Sequence, residues 1–422
     1  MPREIYEEPI VVRSIGRRVF VYVAGSELIK TVFVDERENF PKTPLEKRVL
    51  GPLLGDGLLT TEGAAWKWQR QTVAALFRPQ DLLSFVPAMV AAAESMVAQW
   101  RQAGQGAERE IDHDMMRATF AVIADTLLKD ENNTVGSVVE RSSASYLLPI
   151  TWSIFYAMMG VPQWAPHPGR GAMRRSERDL RAAVETLVTS RRRQGAETRD
   201  DLLARLMKAR HPETGKLMSD RQIADNLLTF FLAGHETTAK ALAWTLYVVS
   251  EAPQWEARML AEIEAVVGEG PVKAEHVARL VTVEQVLKES MRLFPPAPVM
   301  TRHTREATKL GGLDIPADAS IVVPIYAIHR HKAYWPDADR FDPTRFTPER
   351  ERQMARYQYM PFGAGPRICI GQAFAMIEAV SMLATFLRRA RFASPPGGRR
   401  PEPISRVTLR PRGGLPLLVS MR

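Results

Sequence analysis

Cysteine is almost absent from this chain: one residue, Cys369, in 422. A single thiol excludes an intramolecular disulfide framework. The N-terminus has no apolar run. Met1-Pro2-Arg3-Glu4-Ile5-Tyr6-Glu7-Glu8 offers nothing for a signal peptide or a membrane span. The first apolar run, Val19 to Ala24, is strand-length and rich in valine and aromatics. A soluble, cytoplasmic protein with no membrane span is therefore expected. Internal repeats and compositionally disordered tracts are lacking too, and 45% hydrophobic with 25% charged residues is a globular composition. The Gly/Pro-rich stretches at 162–171 and 395–402 are only loop-length. One domain over residues 1–422 is expected, length being a soft guide to domain count.

Charge is not balanced. Lys and Arg number 57 against 48 Asp and Glu, giving +9, with basic clusters at Arg170–Arg193 and Arg388–Arg412. Nucleic-acid binding is not expected, because acidic residues interleave and no binding motif accompanies the arginines. Most of these charges read as solvated helix and loop faces. A minority could form a docking surface for an acidic electron-transfer partner.

The surroundings of the lone cysteine are the most informative feature. It lies in Phe362-Gly363-Ala364-Gly365-Pro366-Arg367-Ile368-Cys369-Ile370-Gly371, directly before an alanine-rich helical segment from about Gln372. The positive end of that helix favours a thiolate, and a bound metal would favour it more. The glycines let backbone approach a flat ligand where a Cβ would collide. Arg367 adds a permanent cation with a planar fork suited to carboxylates. A lone cysteine is more often a small buried hydrophobe. Thiolate, close backbone approach and carboxylate-binding arginine together describe a site for haem iron.

From Asp220 to about Ser250 an apolar pattern through Ile223, Leu227, Phe231, Leu242 and Leu246 predicts one long helix, roughly 45 Å at 1.5 Å per residue. Ala233-Gly234-His235-Glu236-Thr237-Thr238 interrupts it with polar groups that need a reason to be buried. Ala233 and Thr237 share one face, with Glu236 adjoining. Gly234 lowers local helix stability, and Thr237 can bond back one turn, opening a groove. His235 reads as structural, since sequence neighbours on a helix face different ways.

Phe-x-x-Gly-x-Arg-x-Cys-x-Gly is matched at every fixed position, and with the segment at 233–238 the chain resembles the cytochrome P450 superfamily of haem-thiolate monooxygenases, as a soluble bacterial-type single-domain member. The resemblance implies a mainly α fold with a smaller β region, a long central helix across the distal haem face and the cysteine loop on the proximal face. The cofactor implied is haem b (iron protoporphyrin IX), with Cys369 as its metal ligand. Ala233 would face the oxygen or substrate, with Thr237 holding the hydrogen bonds of oxygen activation and Glu236 relaying protons inward. Against the family, the segment ahead of the first strand is short.

Further matches extend the resemblance. Glu289 and Arg292, three apart before Pro295-Pro296, match the family's buried Glu-x-x-Arg pair, and Arg345 in the later meander is the third member. These three are assigned to holding the cysteine loop and its core. Trp66 and Arg70, with Arg302 and Arg367, are assigned to the haem propionates. Phe362 is assigned to packing near the thiolate and limiting its exposure to water. Leu45, Val49, Leu50, Leu53 and Leu54 in a loop Phe40 to Glu62, the residues Ala297, Val299 and Met300, and the stretch 147–159 correspond to substrate-contacting parts of the family, although ordinary core is an equal reading.

The activity implied is insertion of one oxygen atom from O2 into an apolar small-molecule substrate, hydroxylation by default. About fifty residues follow Cys369, so no fused reductase is expected, and electrons would come from a ferredoxin or flavodoxin-type donor with its NAD(P)H reductase. The alternatives are a peroxide-driven or isomerising haem-thiolate enzyme, or a non-catalytic haem protein that binds a gas.

Overall fold

The computed structural model describes residues 1–128, 138, 142, 145–146, 149–162, 164–195 and 201–422. Among these, the helices of seven residues or more are α1 (Pro44–Leu54), α2 (Gly63–Ala74), α3 (Val86–Ala103), α4 (Ile111–Leu128), α5 (Ile150–Met158), α6 (Arg170–Gln194), α7 (Leu202–Lys208), α8 (Asp220–Ser250), α9 (Pro253–Val267), α10 (Val281–Leu293) and α11 (Gln372–Arg389). The mainly helical architecture agrees with expectation. The residues group into two compact units. One comprises Met1–Lys42, Leu82–Thr119 and Glu236–Arg422; the other comprises Thr43–Asp81 and Phe120–His235.

Among the described residues, all the sheets lie in the first unit. The strands β1 (Ile10–Ile15), β2 (Arg18–Val23), β4 (Met300–His303) and β7 (Ser320–Val323) form a sheet in the order β1-β2-β7-β4. Here β1 opposes β2 antiparallel with Ile10 across from Val23, and β7 runs parallel to β2 with Ser320 across from Phe20. A second sheet orders β3 (Ala107–Glu110), β11 (Pro416–Met421) and β8 (Ala390–Ala393) as β3-β11-β8. Two hairpins complete the set: β5 (Thr308–Leu310) with β6 (Leu313–Ile315), and β9 (Pro403–Ser405) with β10 (Leu409–Pro411). The inward residues Val21, Val23, Ile321 and Val323 bury with Phe33, Ile325, Ile328, Met360 and Ala364, so one core reaches from the first sheet to the segment ahead of Cys369.

α8 has the expected bounds. Its start is a reciprocal cap: Ser219 N–H donates to Gln222 Oε1 at 3.0 Å, and Gln222 N–H donates to Ser219 Oγ at 3.3 Å. α11 packs on α3 through Trp100 against Phe386, with ring centroids 5.0 Å apart, and Phe85, just ahead of α3, meets Phe374 at 6.1 Å. The segment Pro79–Ala103, which contains α3, is long and apolar enough to cross a membrane by length and composition, but half of its apolar window is buried inside the protein.

Two expectations need correction. Residues 44–54 are a helix, not a loop. Pro44 occupies the first turn, where its missing N–H is not needed, and Val49, Leu53 and Leu54 are buried as α1 packs on α5 and α6. The stretch 147–159 is only partly enclosed: Ile150 is buried, whereas Trp152, Phe155 and Met159 are exposed. Residues 147 and 148 lie outside the described residues.

Candidate active site

Cys369 ends an irregular segment that hydrogen bonds tie into shape. Gly363 N–H donates to Met360 O at 3.0 Å, Ile368 N–H to Gly365 O at 3.0 Å and Cys369 N–H to Phe362 O at 2.9 Å. The thiol is exposed, and α11 begins three residues later. Gly365 has φ +67°, and a Cβ there would stand 2.5 Å from the carbonyl oxygen of Phe33, so no other residue fits. On the same loop, Met300 Sδ of β4 lies 3.0 Å from the place of a Cβ on Gly363. The loop is thus bracketed by Phe33 and Met300.

The same two residues bring Arg302 to the loop. Arg302 is buried on β4, two residues past Met300, with its guanidinium carbon 4.8 Å from the centroid of the Phe33 ring and its Nη1 donating to Thr301 O at 2.7 Å. Arg367 and Phe362 are half-buried in the loop itself. Among the described residues no cluster of three or more His, Cys, Asp or Glu is placed to hold a metal. The donor set is therefore one exposed thiol before a helix N-terminus with a buried guanidinium beside its loop, which suits a metal carried in an anionic macrocycle.

Beneath the loop, Arg292 Nε and Nη2 donate to the two carboxylate oxygens of Glu289 at 2.6 and 2.8 Å, and both residues are fully buried. The remaining donors of Arg292 reach His329 O at 2.9 Å, Ala338 O at 2.6 Å and Arg340 O at 3.1 Å. Arg345 lies 3.5 Å from Glu289, which also accepts the Asp342 N–H at 2.8 Å. The link to the cysteine loop is specific. His329 Nε2 accepts the Met360 N–H at 2.9 Å, and Met360 O in turn accepts from Gly363. Enclosure, with Arg292 and Arg330 nearby, pushes the His329 imidazole down to about 3, so it is neutral and able to accept.

On α8, Glu236 is buried and engaged. It accepts from the Thr408 hydroxyl and from Arg410, whose Nε lies at 3.1 Å and whose Nη2 is closer still. Burial would raise this carboxyl, but Arg410, Thr408 and, more weakly, Lys240 outweigh it and hold Glu236 below its ordinary range. Trp244 Nε1 donates to Leu409 O at 3.1 Å and its ring stacks on Phe294, fastening the same hairpin two turns further along. Nothing local to either stretch announces the pairing of Arg410 with Glu236, and the arginines at 388–412 read as solvated in the sequence. Two in the other cluster also turn inward: Arg191 to the buried Asp201 at 2.6 Å, and Arg181 to the buried Asp225 at 3.2 Å.

In the second unit, Trp66 and Arg70 lie half-buried on α2, one turn apart. His235 Nδ1 donates to Phe231 O at 2.6 Å and its ring meets Phe120 edge-on, the packing role expected of it. Gly234 has a reason the sequence does not show. A Cβ there would meet Ile123 Cδ1 at 2.7 Å, so the glycine admits α4 against α8.

Comparison with known proteins agrees with this arrangement. The family model described as Cytochrome P450 matches residues 3–417. Cyclooctatin synthase of Streptomyces melanosporofaciens is 32% identical over 96% of this chain and 88% of its own length. Cyclooctat-9-en-7-ol 5-monooxygenase of the same organism is 32% identical over 82% of this chain and 74% of its own. Cytochrome P450 709B1 of Arabidopsis thaliana is 30% identical over 96% and 80%. Among solved structures, the cytochrome P450DA heme domain superposes with a TM-score of 0.87 at 25% identity, covering 98% of this chain and 90% of that one. The chain belongs to the cytochrome P450 family, and it is accordingly an oxidoreductase of the haem-dependent monooxygenase type.

Proposed function

We propose that this chain binds haem b through the Cys369 thiolate and inserts one oxygen atom from O2 into an apolar organic substrate, drawing electrons from a separate ferredoxin or flavodoxin with its NAD(P)H reductase. The observation that carries the reading is the position of Cys369: exposed, ahead of the α11 N-terminus, in a loop bracketed by Phe33 and Met300 beside the buried Arg302. Arg302 and Arg367 would hold the propionates, and the motif match adds Trp66, Arg70 and Ala233 to the cofactor-binding set. Haem held by a thiolate supplies the activation of O2, the thiolate favouring O–O cleavage.

The chain's own residues then do the following. The N-terminus of α11, three residues past Cys369, favours the thiolate, and Phe362 would limit water around it once the cofactor is bound. Glu236 is ionised and committed to Arg410 and Thr408. A proton passes through it only when that contact opens towards water. The Thr237 hydroxyl, adjoining it on α8, is the group that places a proton at the pocket. The continuous family match over residues 3–417 supports one domain. Packing of α3 against α11 supports its reading as a core helix and not a membrane span.

The test is a spectral binding screen over fatty acids, terpenes, steroids and aromatic acids. It is followed by turnover with NAD(P)H, a reductase and a ferredoxin or flavodoxin. A substrate-induced spin change with NAD(P)H-dependent oxygenated product is expected. Gas binding without turnover, or product only with peroxide, would overturn the reading.

A further inference from the structure

Asn226 lies in the N-terminal half of α8 and is wholly enclosed. Both atoms of its amide are used. Its Oδ1 accepts the Leu58 N–H at 3.0 Å, and its Nδ2 donates to Gln69 Oε1 and to Gln222 O, both at 2.8 Å. Gln69 of α2, also buried, turns its own Nε2 to Asp56 O at 2.8 Å. The neighbouring Asp225, buried too, accepts the Asp56 N–H at 2.9 Å. Backbone groups of Asp56 and Leu58, in the segment 55–61 between α1 and α2, are therefore held by side chains of α2 and α8, all within the second unit.

A connection of this kind is ordinarily among the more mobile parts of a fold. This one is also folded back on itself. Thr60 Oγ1 donates to Gly55 O at 2.7 Å and Thr61 Oγ1 to Gly57 O at 2.6 Å. No side chain fits at the two glycines: a Cβ on Gly55 would stand 2.3 Å from Asp225 Oδ1, and one on Gly57 would stand 2.4 Å from Thr229 Oγ1. Arg181 of α6 fastens the start of the segment, its Nε donating to Pro52 O at 3.1 Å and its Nη1 to Asp225 Oδ1 at 3.2 Å. An enclosed polar network with its members satisfied is the kind that fixes one conformation.

The place of the segment along α8 gives it a consequence for ligands. Asn226 and Ala233 stand seven residues apart in the sequence. That spacing puts them on one face of the helix, about 10 Å apart along its axis. On this face Asn226 and Thr229 are buried, whereas Ala233 is exposed. The segment 55–61 covers the face at Asn226 and Thr229, and the face opens one turn later at Ala233.

We propose that Asn226, with Gln69, is a specificity-determining positioning residue: it holds the segment 55–61 as a preset end wall, which limits how far an apolar ligand beside Ala233 extends towards the N-terminus of α8. This rests on the place beside haem and substrate given above to Ala233. The wall stands before the ligand arrives. The chain therefore selects compact apolar molecules by fit and does not mould this end of the site to long ones.

The experiment compares the wild-type holoprotein with Asn226→Ala. Its probes are N-alkylimidazoles of increasing chain length, whose ring nitrogen binds haem iron and shifts the Soret band whatever the natural substrate. Amide hydrogen exchange comes first. In wild type the Asp56 and Leu58 amides should be protected without a probe and gain little when one binds. In Asn226→Ala the Leu58 amide, left without its buried acceptor, should exchange about tenfold faster or more. Affinity against chain length comes second. Each methylene added in an apolar site strengthens binding by about fourfold. Wild type should follow that slope up to a break, beyond which longer chains bind no better, and Asn226→Ala should move the break to longer chains. Leu203→Ala, a truncation of a buried residue in α7, should lower the melting temperature while leaving Leu58 exchange and the break where they are, which separates a wall from general loosening. Should Asn226→Ala fail to fold, wild-type exchange with and without probe, together with the break, still decides. Protection that appears only when a probe binds, a slope without a break, or a break that Asn226→Ala leaves in place overturns the proposal. Wild-type protein that takes up no haem overturns the haem-thiolate reading and the wall with it. Haem uptake and probe binding with unprotected Asp56 and Leu58 amides remove only the wall.

Discussion

Arg410 of the β9–β10 hairpin closes on the carboxylate of Glu236, with its Nε at 3.1 Å, and so ties the polar turn of α8 to a strand 174 residues away in sequence. Replacing Arg410 with Met removes the principal cation from a buried acid. A loss of about 2–3 kcal/mol is expected, below the range for fully enclosed pairs because the Arg410 side chain is 24% exposed. Glu236 should then titrate above the ordinary carboxylate range, where it now titrates below it. Melting curves against pH read both effects, and a variant with wild-type melting at all pH values would show that the contact carries no weight.

Arg292→Ala should cost about 3–5 kcal/mol, since it strands the enclosed Glu289 carboxylate and frees the carbonyls of His329, Ala338 and Arg340. Arg292→Lys should not restore it, because three donors on one nitrogen cannot serve five acceptors arranged around a planar fork. Soluble holoprotein in normal yield with unchanged melting would contradict the assignment of this pair to the frame of the cysteine loop.

The parts of this molecule that are legible in its sequence are those whose partners are near in sequence or whose motif is dense. The cysteine loop, the bounds of α8 and the Glu289–Arg292 pair are of that kind. Residues 44–54 read as part of a loop, yet Pro44 sits in the first turn where it is tolerated, and burial of Val49, Leu53 and Leu54 sustains a helix. Arg410 and Thr408 escape a sequence reading because their partners lie on distant elements, and no periodicity marks a single charge that turns inward. Gly234 reads as a weak point in a helix, whereas close approach of Ile123 explains it.

Acid should loosen the frame through His329. Its imidazole titrates at about 3 when folded, against an ordinary value of 6.5, so the folded protein binds fewer protons than the unfolded chain between those values. Stability is therefore full above pH 6.5 and falls as pH drops towards 3, by up to about 5 kcal/mol from this group. His329→Gln, which carries no titrating group, should show a shallower loss over the same window. Denaturant melts at a series of pH values measure the difference, and parallel profiles for the two proteins would refute it.

Thr237→Ala should still bind haem, substrate and electrons while releasing hydrogen peroxide in place of product. Proton delivery by a positioned group typically contributes about 10²–10⁴ in rate, and water can partly substitute for the hydroxyl, so a drop of about tenfold or more in product per NAD(P)H is expected. Product and peroxide measured against NAD(P)H consumed give the answer. Unchanged coupling would remove Thr237 from the mechanism.

The most direct test of the whole account is the spectrum of the reduced CO complex in wild type and Cys369→Ser. Wild type should show the long-wavelength Soret band of thiolate-ligated haem, and the serine variant should lose it while retaining the fold seen by circular dichroism. A serine variant with the same Soret position as wild type would mean that Cys369 is not the ligand, and the site built around it would fall with that result.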